Sequence, residues 1–177
     1  MLFRSVGSGV TLKDSAFQNC SNLIAATLIP GGSVTSIGAM AFVSCSNLSW
    51  VVIPDGITTI KATAFYATDI KSIVIPDSVT TIEGVAFSAF NRAPLQIVHF
   101  GSGLTTIHNW AFYNTSLSSV TFKEVTNQQQ SLSYVYLPSL PNEHPFEDTP
   151  IKDSGNLPDT ATINAERKQG TVTYNTL

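Results

Sequence analysis

Between residues 10 and 123 the apolar residues follow one fixed frame that is neither helical nor simply alternating. One unit reads V-T-T-I-E-G-V-A-F from Val79, then a variable loop, then L-Q-I-V-H-F from Leu95. The frame returns as V-T-S-I-G-A-M-A-F with L-S-W-V-V-I-P over residues 34 to 54, and as I-T-T-I-K-A-T-A-F with I-K-S-I-V-I-P over residues 57 to 76. It returns again as L-T-T-I-H-N-W-A-F with L-S-S-V-T-F over residues 104 to 122. An Ala-Phe pair marks each unit, and the gaps between Phe17, Phe42, Phe65, Phe87 and Phe112 are 25, 23, 22 and 25 residues. A period of about 24 belongs to stacked single-turn coils. The first unit, V-T-L-K-D-S-A-F from Val10, is one residue short, and its strand from Leu23 is one residue long, which predicts a bulge or register shift.

Each half of the frame predicts an element. In the run ending at Pro, the sets Leu48, Val51, Ile53; Ile70, Ile73, Ile75; Leu95, Val98, Phe100; and Leu117, Val120, Phe122 point inward from a strand. Pro30, Pro54 and Pro76 end their strands, because proline has no N–H for a ladder. The β-branched V-T-x-I segment is too short for a helix and predicts a second short strand on the opposite side of the coil. The four residues entering each Phe, such as Gly38 to Ala41, suit a helical turn. The phenylalanines then stack into a spine, with each Ala where the next coil approaches.

The alternation of V-T-x-I-x-x-x-A-F with N-C-S-N-L-x-x-V-x-I-P resembles the BspA-like, or Treponema-type, leucine-rich repeat over residues 10 to 123. That resemblance implies a β-rich α/β fold, a right-handed solenoid with a parallel sheet on one face. It also implies adhesive or protein-binding repeats of bacterial and protozoan surfaces, hence a cell-surface or secreted location, and no catalytic residues.

Residues 1–123 therefore read as a solenoid of five repeats, the first incomplete. Residues 124–158 read as a degenerate repeat and C-terminal capping region, in which Leu132, Val135 and Leu137 before Pro138 restore a sixth strand and Pro145-Phe146 stands in for Ala-Phe. Residues 159–177, with T-A-T-I-N and G-T-V-T-Y-N, read as a terminal hairpin or a pairing arm. Residues 1–9 show neither a cap nor a signal peptide.

Chemistry is sparse. A net charge of -3 with pI near 5.5 argues against a nucleic-acid surface, and no stretch approaches a membrane span. His99, His108 and His144 lack paired ligands at metal spacing, so neither a metal nor a cofactor is expected. Glu143, Glu147 and Asp148 read as a solvated acidic loop. Cys20 and Cys45, one repeat apart in C-S-N-L contexts, are close enough in such a stack for a disulfide, but free thiols in a small core slot are the favoured reading.

The outward strand positions remain. Trp50, Ser72, Ile97, Ser119 and Tyr134 form one row, and Val52, Val74, His99, Thr121 and Tyr136 the next. Trp50, Val52, Ile97, His99, Tyr134 and Tyr136 are the candidate partner-binding residues, since aromatic side chains supply contact area at low entropic cost. A non-enzymatic protein- or glycan-binding or adhesion module is the leading expectation. The alternative is a structural subunit of an assembly, such as a surface layer, filament or virion, that self-associates through its solenoid ends.

Overall fold

The computed structural model describes residues 3–6, 12–29, 35–84, 94–125, 132–135, 144–146 and 148–176. The described strands are β1 (Phe3–Val6), β2 (Ala25–Leu28), β3 (Ser36–Ile37), β4 (Trp50–Val52), β5 (Thr59–Ile60) and β6 (Ser72–Ile75). They continue with β7 (Thr81–Ile82), β8 (Ile97–Phe100), β9 (Thr106–His108), β10 (Ser119–Phe122) and β11 (Ser133–Val135). Two short helices, α1 (Pro150–Asp153) and α2 (Thr160–Arg167), precede the last strand, β12 (Val172–Asn175).

The fold is a β-rich solenoid of stacked coils. One side carries the longer strands, in two sheets of order β1-β2-β4 and β6-β8-β10-β12. The V-T-x-I segments and β11 form the other, in the order β3-β5-β7-β9-β11. Every pairing is parallel except β10 with β12. Alternation holds on both sides: Val51, Ile73, Val98 and Val120 are buried from the first, and Ile37, Ile60, Ile82 and Ile107 from the second.

Between the two sides runs the phenylalanine spine. Phe17 stacks on Phe42 at 5.3 Å, Phe42 on Phe65 at 5.4 Å, and Phe112 on Phe146 at 5.1 Å between ring centroids. Phe87 lies outside the described residues. Pro145-Phe146 does replace Ala-Phe, for the Phe112 N–H donates to the Pro145 carbonyl just as the Phe17 N–H donates to Ala41 and Phe42 to Ala64.

Among the described residues, the segment around each Phe of the frame is not the helical turn that its sequence suits. Ser15, Met40, Thr63 and Trp110, two residues before a Phe, have φ of 56 to 59°, and Asn19, Ser44, Ala67, Asn114 and Asp148, two residues after one, have φ of 52 to 61°. A left-handed residue reverses the direction of the next N–H, so helical propagation stops. N–H groups therefore alternate in destination. Those of Met40, Phe42 and Ser44 reach Ala62, Ala64 and Tyr66 of the next coil, while those of Ala41, Val43 and Cys45 close turns on Gly38, Met40 and Phe42.

The C-terminal stretch departs from a hairpin. Residues 160–167 form α2, started by Asp159, whose carboxylate accepts the Thr162 N–H at 2.8 Å. Ile163 is fully buried, and Asn164 holds both the N–H and the carbonyl of Leu132. β12 then adds antiparallel to β10, with Val172 and Tyr174 against the core and Thr173 bonded to Thr121 at 2.8 Å.

Arg167 is buried completely, and its guanidinium is held by backbone carbonyls. Its Nε donates to the Lys123 carbonyl at 3.2 Å, Nη1 to Leu104 at 3.4 Å and Nη2 to Ser102 at 3.1 Å. Its guanidinium lies 5.8 Å from the centre of the Phe122 ring.

Candidate partner-binding face

The outward side of the longer strands is built by in-register stacking. Ala25 lies beside Trp50, and Ser72 beside Ile97 and then Ser119; Thr27 lies beside Val52, and Val74 beside His99 and then Thr121. Side chains at these positions leave the sheet because their neighbours at Val51, Ile73, Val98 and Val120 enter the core. Trp50 is 61% and Val74 64% exposed, with Val52 at 39% and Ile97 at 37%. Scattered exposed apolar residues are ordinary, but these four cluster on β4, β6 and β8.

The ladder is interrupted between β4 and β6, which belong to different sheets. The Asp69 N–H still reaches the Leu48 carbonyl at 2.9 Å, so the coils stay joined where the strands begin. A cleft of about 300 Å³ opens there, lined by Trp50, Val52, Ser72, Val74 and Pro76. Beside it, a shallower depression of about 390 Å³ is lined by Val74, Pro76, His99, Asp77 and Lys123. Asp77 pairs with Lys123 at 2.6 Å and accepts the Ser102 N–H at 2.9 Å. The bond from Lys123, then that from Ser102, holds the Asp77 carboxyl below its usual range.

Of the six candidates, Trp50, Val52, Ile97 and His99 share this face. Tyr134 does not: β11 pairs with β9, placing Tyr134 in register with Ile107 on the opposite sheet. Tyr136 lies outside the described residues. Val74, which alternation puts in the same row as His99, is the most exposed apolar residue here and belongs with the candidates.

The cysteines divide. Both are free, but Cys45 is buried whereas Cys20 is exposed, because no described coil lies on the outer side of the first turn segment. Their counterparts three residues after Phe65, Phe112 and Phe146 are Thr68, Thr115 and Thr149, whose hydroxyls bond to the carbonyl of their own Phe. The slot is small and polar-tolerant, not purely apolar.

Among the described residues no group of three or more His, Cys, Asp or Glu is arranged to hold a metal ion, and no helix is long and apolar enough to cross a membrane.

Residues 10–140 match the family model of the BspA type leucine-rich repeat region in six copies. The chain belongs to this family. Leucine-rich repeats of this type serve as protein-interaction or surface modules and are typically non-enzymatic. No curated protein matches the chain. Among solved structures it is similar to a leucine-rich repeat protein of T. pallidum, at 25% identity and a TM-score of 0.47, over 60% of this chain and 57% of that one. A leucine-rich cell surface protein of Faecalibacterium prausnitzii is 30% identical with a TM-score of 0.49, over 60% of this chain and 29% of that one. The chain thus spans less than two thirds of either.

Proposed function

We propose that this chain is a non-enzymatic protein-binding module of the cell surface, and that the outward face of β4, β6 and β8 receives the partner. The observation that carries this reading is the pair Trp50 and Val74, both more than 60% exposed and both lining the cleft where the ladder is interrupted. Exposing a tryptophan and three aliphatic side chains together costs solubility, and a partner that covers them recovers hydrophobic free energy. A tryptophan beside a cleft that Ser72 also lines, with Thr27 next to Val52 and His99 next to Val74 in the neighbouring strands, has the make-up of an anchor with polar neighbours. Adhesion is one use of such a module, and the family supplies the cell-surface location in this reading.

The test is a binding screen of the full chain against displayed surface proteins and glycans, repeated with Trp50→Ser/Val74→Ser. A protein binder weakened by about 2 kcal/mol or more, with circular dichroism unchanged, supports the reading. Binding that survives the double variant moves the site elsewhere. Concentration-dependent self-association without any binder favours the alternative, a subunit of a larger assembly.

A further inference from the structure

Cys20 and Cys45 occupy one frame position in successive coils, three residues after Phe17 and Phe42. The register between these coils is fixed beside them: the Phe17 N–H donates to Ala41 at 2.8 Å and the Asn19 N–H to Val43 at 2.9 Å. Equivalent residues of neighbouring hydrogen-bonded segments lie ~4.8 Å apart, inside the Cα window of ~4.4 to 6.8 Å that a disulfide requires.

Side-chain direction is the second observation. The Cys45 thiol donates to the Phe17 carbonyl at 2.9 Å, and the Cys20 N–H donates to that same oxygen at 3.2 Å. Cys45 Sγ therefore points out of its own coil, toward the backbone that carries Cys20. Thr68 and Thr115, at the same frame position, turn their hydroxyls back to their own coils. The two thiols also differ in access. Cys20 is exposed, whereas burial raises the Cys45 pKa to about 11, which keeps Cys45 from acting as the first nucleophile at neutral pH.

We propose that Cys20 and Cys45 form an oxidisable pair that closes to a disulfide between the first two coils on meeting a low-molecular-weight disulfide such as oxidised glutathione. The Cys20 thiolate attacks one sulfur of the oxidant; a Cys20–S bond forms, the oxidant's S–S bond breaks, and one glutathione thiolate leaves. Cys45 then gives its proton to solvent and attacks the Cys20 sulfur, displacing the second glutathione. Two protein thiols are oxidised to one disulfide, and one small disulfide is reduced to two thiols. The product ties the first coil to the second and restricts the unfolded chain.

The full chain is incubated with oxidised glutathione under native conditions, quenched with acid, and analysed by thiol titration and intact mass. Loss of both thiols within a monomer, a mass lower by two hydrogens, and a midpoint of thermal unfolding raised by several degrees until dithiothreitol is added are expected. Cys45→Thr supplies the residue that the frame already carries at positions 68 and 115, and should stall with glutathione on Cys20. Cys20→Ser should leave Cys45 unmodified in the folded chain. A wild type that keeps both thiols, stalls with glutathione on Cys20, or links into dimers overturns the proposal.

Discussion

Replacing Arg167 with Met removes the guanidinium and keeps much of the side-chain volume, so the loss reports on three backbone carbonyls. Ser102, Leu104 and Lys123 each accept from Arg167, and the contact with Leu104 is buried. A buried carbonyl deprived of its donor costs about 1 to 3 kcal/mol, while the two nearer the surface regain water and cost less. The lost contact with the Phe122 ring adds about 0.5 to 1 kcal/mol. Against this stands relief from desolvating a charge, the same burial that lowers the Arg167 pKa. We expect a net loss of about 2 to 4 kcal/mol in urea unfolding. Arg167→Lys should recover less than half of it, because an ammonium cannot span three carbonyls held apart by a planar fork. Hydrogen exchange should localise the damage to β10 and β12. If Arg167→Met is neutral or stabilising, the carbonyls do not depend on the arginine and the reasoning fails.

Phe65→Ala should cost about 3 to 5 kcal/mol in chemical denaturation, since the ring is fully buried and stacked on Phe42; a loss under about 1 kcal/mol would show that the column is not the core. Gly101→Ala should cost about 1 to 3 kcal/mol by the same measurement, because a Cβ there would stand 2.5 Å from the Pro76 carbonyl carbon, and an unchanged midpoint would contradict that contact. His144 accepts the Phe146 N–H on Nδ1, and burial, then Lys152, lowers its pKa to about 4. The unfolded chain therefore binds the proton first, so the His144 contribution to stability is full above about pH 6.5 and is lost as pH drops from there toward about 4; His144→Gln should flatten the slope in that window, and a slope identical to wild type would refute the assignment.

Most of the stack was legible because a strand shows its inner face as alternation. The inward set from Leu48 to Phe122 and the V-T-x-I isoleucines are all buried as the frame requires. Tyr134 was misplaced because S-Y-V alternates equally well on either side of a coil. What decides the side is the partner strand: β11 pairs with β9 rather than continuing the ladder of β10, and the alternation of three residues does not encode that choice. The left-handed turns were hidden for a different reason. Met40, Thr63 and Trp110 carry none of the Gly or Asn signal that usually marks positive φ; neighbouring-coil hydrogen bonds impose it. Arg167 had no sequence signal either, since a single arginine near a terminus ordinarily reads as solvated. On the candidate face, Trp50, Val52, Ile97 and His99 followed from alternation, whereas the interrupted ladder beside them depends on the relative displacement of two coils.

Those left-handed residues also govern how the molecule can grow or shrink. A non-glycine residue in that conformation costs roughly 1 to 2 kcal/mol, and coils such as the one around Phe42 hold two, at Met40 and Ser44. The hydrogen bonds that justify this geometry run to the adjacent coil, so a coil on its own is uphill and each interface between coils is downhill. Folding then has a minimum length below which no stack survives, and melting proceeds inward from an end, where it loses one interface, rather than from the middle, where it loses two. The same arithmetic makes the coil the unit of variation: one can be gained or lost whole, leaving every remaining turn with the neighbour it needs.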